Sequence, residues 1–224
     1  MKKIGYKDIL KQYIDGLEPG QPVLTDKAVK YAAEMVGMDD DRIKKAVNVN
    51  MARLEKAGYV SRISKGIYCK KTQTAFGYYT PSKESLYCQM LLYDNEKVIG
   101  YETGFSALNR IGLVSQMPGK KCIATNLYAR KLPGEIQLEI RKPPVTVNNA
   151  NYRYLQFLDV LKEMERAPVD TARPDDVLKS FTETCHLDRD VLILLARKYY
   201  SPRILFRAID ILLEDIEIYE TARG

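Results

Sequence analysis

Between Asp39 and Gly58 the sequence sets two kinds of residue on opposite sides of a helix. At about 100° per residue, Ile43, Val47, Met51 and Leu54 fall on one stripe with Asn50 at its edge. The other side carries Lys45, Asn48, Val49, Ala52 and Lys56, flanked by Arg42, Lys44 and Arg53. Long cationic donors suit phosphate oxygens, the Asn48 amide can pair with adenine, and Val49 can touch a thymine methyl. A residue as small as Ala52 lets a helix approach the floor of a groove. This is the chemistry of a helix that contacts duplex DNA. Arg62, Ser64 and Lys65 follow in a segment with hairpin chemistry, where they can lie along the phosphate backbone. For each cation taken singly, a solvated surface charge is an equally good account; the argument rests on their order and spacing.

Other chemistries find less support. The single histidine, His186, removes most arrangements that use imidazole as acid, base or base partner. No phosphate-cradling glycine loop with its Lys occurs, and no His/Cys set has zinc spacing. Cys69, Cys88, Cys122 and Cys185 lie far apart without a C-x-x-C pair, which suits reduced structural thiols. Glu135 and Glu139 with Arg141 on one alternating stretch resemble the carboxylates and cation of a metal-dependent nuclease, but a half-exposed strand gives the same alternation. No catalysis, cofactor or metal is expected.

A helix that contacts DNA must be held by other elements, and the first third of the chain supplies them. Tyr6 to Gly16 places Ile9, Leu10, Tyr13 and Ile14 at helical spacing before Pro19-Gly20-Gln21-Pro22 stops it. Val23-Leu24 can form a short strand; Thr25 or Asp26 can cap a second helix that closes at Gly37, and Asp39-Asp40-Asp41 can start the third. The short turn between helices two and three is what a helix-turn-helix requires. Tyr59 to Ile63 alternates, Ser64-Lys65-Gly66 is turn chemistry, and Ile67 to Lys70 favours a strand, which together predict a wing. Residues 1–75 hold 15 Lys/Arg against 9 Asp/Glu, whereas residues 76–224 hold 20 of each, so the whole net charge of +6 sits in the first third. That is the electrostatic footprint of a polyanion-binding module.

We therefore expect an α+β protein in two domains: a winged helix-turn-helix over residues 1–75, then a mixed α/β domain over 76–224 that ends in helices. Thr72 to Pro81 serves as the junction. Helices are expected at Ser82–Tyr93 and Gly104–Ile111, the latter capped by Thr103, and strands at Lys97–Tyr101, Lys121–Thr125 and Glu135–Arg141. Further helices are expected at Tyr152–Glu165, Asp175–Cys185, Asp188–Tyr199 and Ser201–Tyr219. The opening residues have no signal-peptide pattern, and no apolar run approaches the roughly 20 residues that span a bilayer, so a cytoplasmic location is expected.

The stretch Gly100-Tyr101-Glu102-Thr103-Gly104-Phe105-Ser106-Ala107-Leu108-Asn109-Arg110-Ile111-Gly112-Leu113, with Gln116-Met117-Pro118 and Ala124-Thr125-Asn126, resembles the AbiEi family of antitoxins. So does Leu54-Glu55-Lys56-Ala57-Gly58-Tyr59-Val60 leading into Lys65-Gly66-Ile67-Tyr68. The resemblance covers roughly residues 5 to 165. It implies an N-terminal winged helix, a C-terminal antitoxin domain, repression of the protein's own operon through repeats in its promoter, and neutralisation of a nucleotidyltransferase toxin in a type IV system. The alternative is a winged-helix regulator that answers to an unidentified ligand or protein.

Two further surfaces are expected. Arg110, Lys120, Lys121, Arg130, Lys131, Arg141 and Lys142 give the middle of the chain a run of positive charge that can serve antitoxin activity or added DNA contact. Leu205, Ala208, Ile209, Leu212, Leu213 and Ile216 share one stripe of the last helix; core packing explains them, as does a homodimer face, since dimers commonly bind repeated half-sites.

Overall fold

The computed structural model describes residues 5–18, 20–75, 77–167 and 169–213. The fold is α+β, and the chain divides into two compact units, Met1–Met90 and Leu91–Gly224. The stretch Thr72 to Pro81 taken as the junction lies ahead of that division.

The first unit begins with α1 (Tyr6–Asp15), β1 (Pro22–Leu24), α2 (Thr25–Val36) and α3 (Asp40–Lys56). β2 (Val60–Ser64) and β3 (Ile67–Lys70) follow, with sheet order β1-β3-β2, all antiparallel. That is the element order of a helix-turn-helix followed by a hairpin. The turn between α2 and α3 is Gly37-Met38-Asp39. Gly37 takes the left-handed conformation at φ +68°, and the N–H groups of Gly37 and Met38 both donate to the Ala33 carbonyl, which closes α2 without a Cβ penalty. Neither Thr25 nor Asp26 caps α2 through a side chain. Leu24 is the cap residue, and Thr25 is the first helical residue, buried, with its N–H donating to the Gly66 carbonyl at 2.9 Å.

Leu10, Ile14, Val23, Ala28, Ala32, Ile43, Val47, Met51 and Leu54 form a shared, fully buried core. Each of the larger side chains contributes about 2 kcal/mol by leaving water. Asp15 then ties the end of α1 to the base of the hairpin: its carboxylate accepts from Tyr59 Oη and from Lys70 Nζ, all at 2.6 Å. Those donors, Lys70 first, hold Asp15 below its usual range, while burial and the carboxylate push Tyr59 up to about 12. A second hairpin, β4 (Thr72–Thr74) with β5 (Gly77–Tyr79), precedes α4 (Lys83–Leu92).

The second unit contains a small ribbon, β6 (Tyr93–Asp94) with β7 (Lys97–Val98), and a three-stranded sheet of β8 (Gly100–Thr103), β9 (Lys121–Thr125) and β10 (Leu138–Arg141). β9 pairs antiparallel with β8 and parallel with β10. The expected strand at Lys97–Tyr101 is thus split in two. The expected strand at Glu135–Arg141 is only its last four residues, since the partner β9 starts at Lys121, opposite Leu138. Helices α5 (Gly104–Arg110), α6 (Tyr152–Met164), α7 (Pro174–Thr184), α8 (Arg189–Tyr199) and α9 (Pro202–Leu213) complete it. Leu108, Leu113, Phe157, Leu158, Leu161, Leu178, Leu192 and Ala208 pack together as its main core.

On α9 the buried face is Ile204, Ala208, Ile211 and Leu212, while Phe206 and Leu213 are exposed, so the stripe is rotated from the expected one. Ile216 and the acidic end of that segment lie outside the described residues. No helix among the described residues is long and apolar enough to cross a membrane.

Candidate nucleic-acid interface

The inner face of α3 is complete: Ile43, Val47, Met51 and Leu54 are wholly buried. Asn50, at the edge, is half-buried and donates to the Ala46 carbonyl of its own helix at 2.9 Å. The outer face is open. Arg42, Lys44, Lys45, Asn48, Val49, Ala52, Arg53 and Lys56 are all exposed, and Val49 is 45% accessible, unusual for a branched apolar side chain on so polar a face. Asp39, Asp40 and Asp41 are exposed at the first turn, where their charge suits the helix dipole. Positive charge therefore begins at Arg42 and extends to the last turn, where Arg53 and Lys56 stand.

The hairpin supplies two more exposed cations. Arg62 lies on β2 and Lys65 at the turn, beside Gly66 at φ +76°. Ser64 is half-buried and engaged, because its hydroxyl and that of Tyr87 are 3.1 Å apart. A bulge between Arg62 and Ser64 shifts the register just before the turn. The hairpin is short, and its tip is fixed by the bond from Thr25 N–H to the Gly66 carbonyl. Among the described residues none of Arg42, Lys44, Lys45, Arg53, Lys56, Arg62 or Lys65 is ion-paired, so all seven charges remain for an external anion. Lys70 is different, since Asp15 neutralises it.

The basic run of the second unit separates into two groups. Lys120, Lys121, Arg130 and Lys131 are exposed and carry no ion pair among the described residues. Arg110 instead holds the buried Glu102 at 2.7 Å, and Arg141 is clamped by Glu139 at 2.8 Å and Glu163 at 3.0 Å. The charges of those two are therefore already met by carboxylates, although the Arg110 side chain remains exposed. The residues of the nuclease pattern are separated in the fold: the strand carboxylate Glu139 meets the strand cation Arg141, and Glu135 sits in a turn.

Ser106, Asn109 and Asn126 satisfy the protein's own backbone. Asn109 Nδ2 donates to the carbonyls of Val114, Ser115 and Gln116, and Ser106 Oγ accepts from Cys122 N–H. Asn126 exchanges two 2.9 Å bonds with the backbone of Val147. Thr103 is the cap residue of α5 but makes no side-chain cap, because its hydroxyl donates to Asp159 instead. Gly100 is required for another reason: a Cβ there would stand 2.3 Å from the Leu91 carbonyl oxygen and 2.8 Å from that of Ala124. All four cysteines are free thiols, and burial pushes Cys122 up to about 12. His186 is exposed at φ +48°, ending α7 in the left-handed conformation.

A family model described as "Family of unknown function (DUF6088)" matches residues 26–179. No curated protein matches the chain.

Proposed function

This chain belongs to the DUF6088 family, whose function is unknown, and we propose that it is a DNA-binding transcriptional regulator that contacts its operator through α3 and the β2–β3 hairpin. The observation that carries this reading is the outer face of α3: five unpaired cations surround an amide, an exposed valine and an alanine. Cations position a helix on phosphates, whereas Asn48, Val49 and Ala52 supply contacts that can tell one base pair from another. In this reading α1–α3 and the hairpin form a winged helix-turn-helix, with Arg62 and Lys65 on the flanking phosphates.

On the AbiEi resemblance of Gly100–Leu113, the regulator is the antitoxin of a cytoplasmic toxin–antitoxin pair. It represses its own operon at repeated half-sites and counters a nucleotidyltransferase-type toxin. Lys120, Lys121, Arg130 and Lys131 are the open cations on which antitoxin action would rest. The second reading, a regulator answering to a small ligand, is favoured by the cleft described below.

A reporter driven by the chain's own promoter tests the proposal. The intact chain represses it, and the Arg42→Ala/Lys45→Ala/Arg53→Ala variant does not; equal reporter output with both proteins refutes DNA contact through α3. Co-expression with the adjacent gene tests the antitoxin role. Growth rescued by the intact chain and lost when Lys120, Lys121 and Lys131 are reversed supports it, and no toxicity from any neighbouring gene refutes it.

A further inference from the structure

Within the second unit, Thr103 of β8, Asp159 of α6 and Tyr200 after α8 line a cleft of about 660 Å³. Asp159 Oδ2 accepts from Thr103 Oγ1 at 2.9 Å and from Tyr101 Oη at 3.0 Å, and Oδ1 accepts from Tyr200 Oη at 2.9 Å. These three hydroxyls are neutral, and Asp159 has no ion-pair partner among the described residues. A carboxylate so placed is costly to desolvate, and while Oδ2 is saturated by its two donors, Oδ1 keeps a lone pair for another. Burial, the largest influence, raises its pKa in spite of the three donors.

The walls carry the opposite charge. Arg141 is fixed by Glu139 and Glu163, which together occupy Nε and Nη1 and leave Nη2 uncommitted. Lys162 in the last turn of α6 and Arg166 just past its end line the cleft and are exposed, as is Lys142 after β10, whose Nζ lies 5.2 Å from the centre of the Tyr128 ring. None of these last three is ion-paired among the described residues. Glu165, which also lines the cleft, is drawn to Arg203 at 3.0 Å. Tyr199 adds an aromatic wall. The volume falls within the range of pockets that hold cofactor-sized molecules, roughly 300–1,000 Å³.

A ligand that fits both ends has an anionic group for the mouth and a hydroxyl or amino donor for the floor, with a flat face for Tyr199. We propose that this cleft binds a nucleoside phosphate, its phosphates on Lys142, Lys162 and Arg166 and one sugar or base donor on Asp159 Oδ1. Such a site would make the second unit a ligand-sensing module. It stands independently of the DNA-binding reading, because it uses none of the residues of α3.

Calorimetric titration of the full chain with ATP, GTP, AMP, inorganic phosphate and adenosine tests it. At least one nucleotide is expected to bind, with phosphate alone and nucleoside alone each weaker by about tenfold or more, since each engages only one end. Lys162→Glu/Arg166→Glu, both exposed and therefore compatible with folding, loses nucleotide binding while its circular dichroism stays that of the wild type. The Arg42→Ala/Lys45→Ala/Arg53→Ala variant keeps it. No heat with any probe overturns the proposal. So does binding that survives the Lys162/Arg166 reversal, binding lost in the α3 variant, or phosphate binding as tight as that of the nucleotides.

Discussion

Removing three cations from the outer face of α3 should change how DNA affinity depends on salt, and the size of the change follows from the structure. Seven exposed cations, Arg42, Lys44, Lys45, Arg53, Lys56, Arg62 and Lys65, have no internal partner among the described residues. Counterion release gives a slope of log affinity against log salt of about −0.9 per phosphate neutralised, hence about −6 when all seven engage. Between 50 and 200 mM salt that slope weakens binding several thousandfold. The Arg42→Ala/Lys45→Ala/Arg53→Ala variant retains four contacts, a slope of about −4, and a loss of roughly 150-fold over the same interval. Fluorescence anisotropy on a labelled duplex across the salt series measures both. These residues are fully outside the core, so the variant should unfold at the wild-type temperature. Equal slopes for the two proteins would refute the reasoning, as would a wild-type slope shallower than about −2.

Gly100→Ala should destabilise the second unit by about 3 kcal/mol or more, because its methyl meets backbone oxygens that cannot rotate away; urea unfolding checks this. Tyr59→Phe should cost about 1 kcal/mol near neutral pH, the low end for a bond to a charged group because water reaches about half of the Asp15 side chain. That difference should vanish at both extremes. Asp15 has a lowered value, so its contribution is present above its usual 3.8 and disappears as pH falls through the lowered value. Tyr59 is raised from 10 to about 12, so its contribution is complete below pH 10 and is lost as pH rises through 12. Thermal melts of both proteins across pH follow it. His186→Gly should stabilise the chain by about 0.5 kcal/mol, relieving left-handed strain at an exposed position while loosening the unfolded chain; the same urea titration reads it.

Much of the first unit was legible because its signals are local. The 3.6-residue stripe of α3, Gly37 after α2 and Ser64-Lys65-Gly66 between two alternating runs each constrain the backbone within a few residues. The exposed face of α3 then follows by elimination, since the opposite face must be buried. Signals failed where tertiary partners override local chemistry. Thr103 is a good cap by type, but Asp159 takes its hydroxyl. Thr25 is likewise a good cap, but it sits inside the helix with its N–H on the hairpin turn. Glu135 to Gln137 alternate like a strand, yet among the described residues no partner strand lies opposite them. The β4–β5 hairpin was hidden in a polar, aromatic stretch, and Gly77 to Tyr79 of β5 are all exposed, so burial sets no period there. The ion pairs of Arg110 and Arg141 were not legible because Glu102 and Glu163 reach them only in three dimensions. The cleft around Asp159 could not be foreseen for the same reason: Thr103, Arg141, Asp159 and Tyr200 come from distant parts of the chain and meet only when the sheet, α6 and the α8–α9 corner are assembled.

Footprinting of the purified chain on the DNA upstream of its own gene, against a scrambled duplex of the same composition, tests the central claim most directly. The account predicts protection of repeated half-sites on the native DNA alone, with that protection lost on Asn48→Ala even though the cations remain, because the amide and not the charge carries sequence information. Equal occupancy of native and scrambled DNA, or no protection of either, would contradict it.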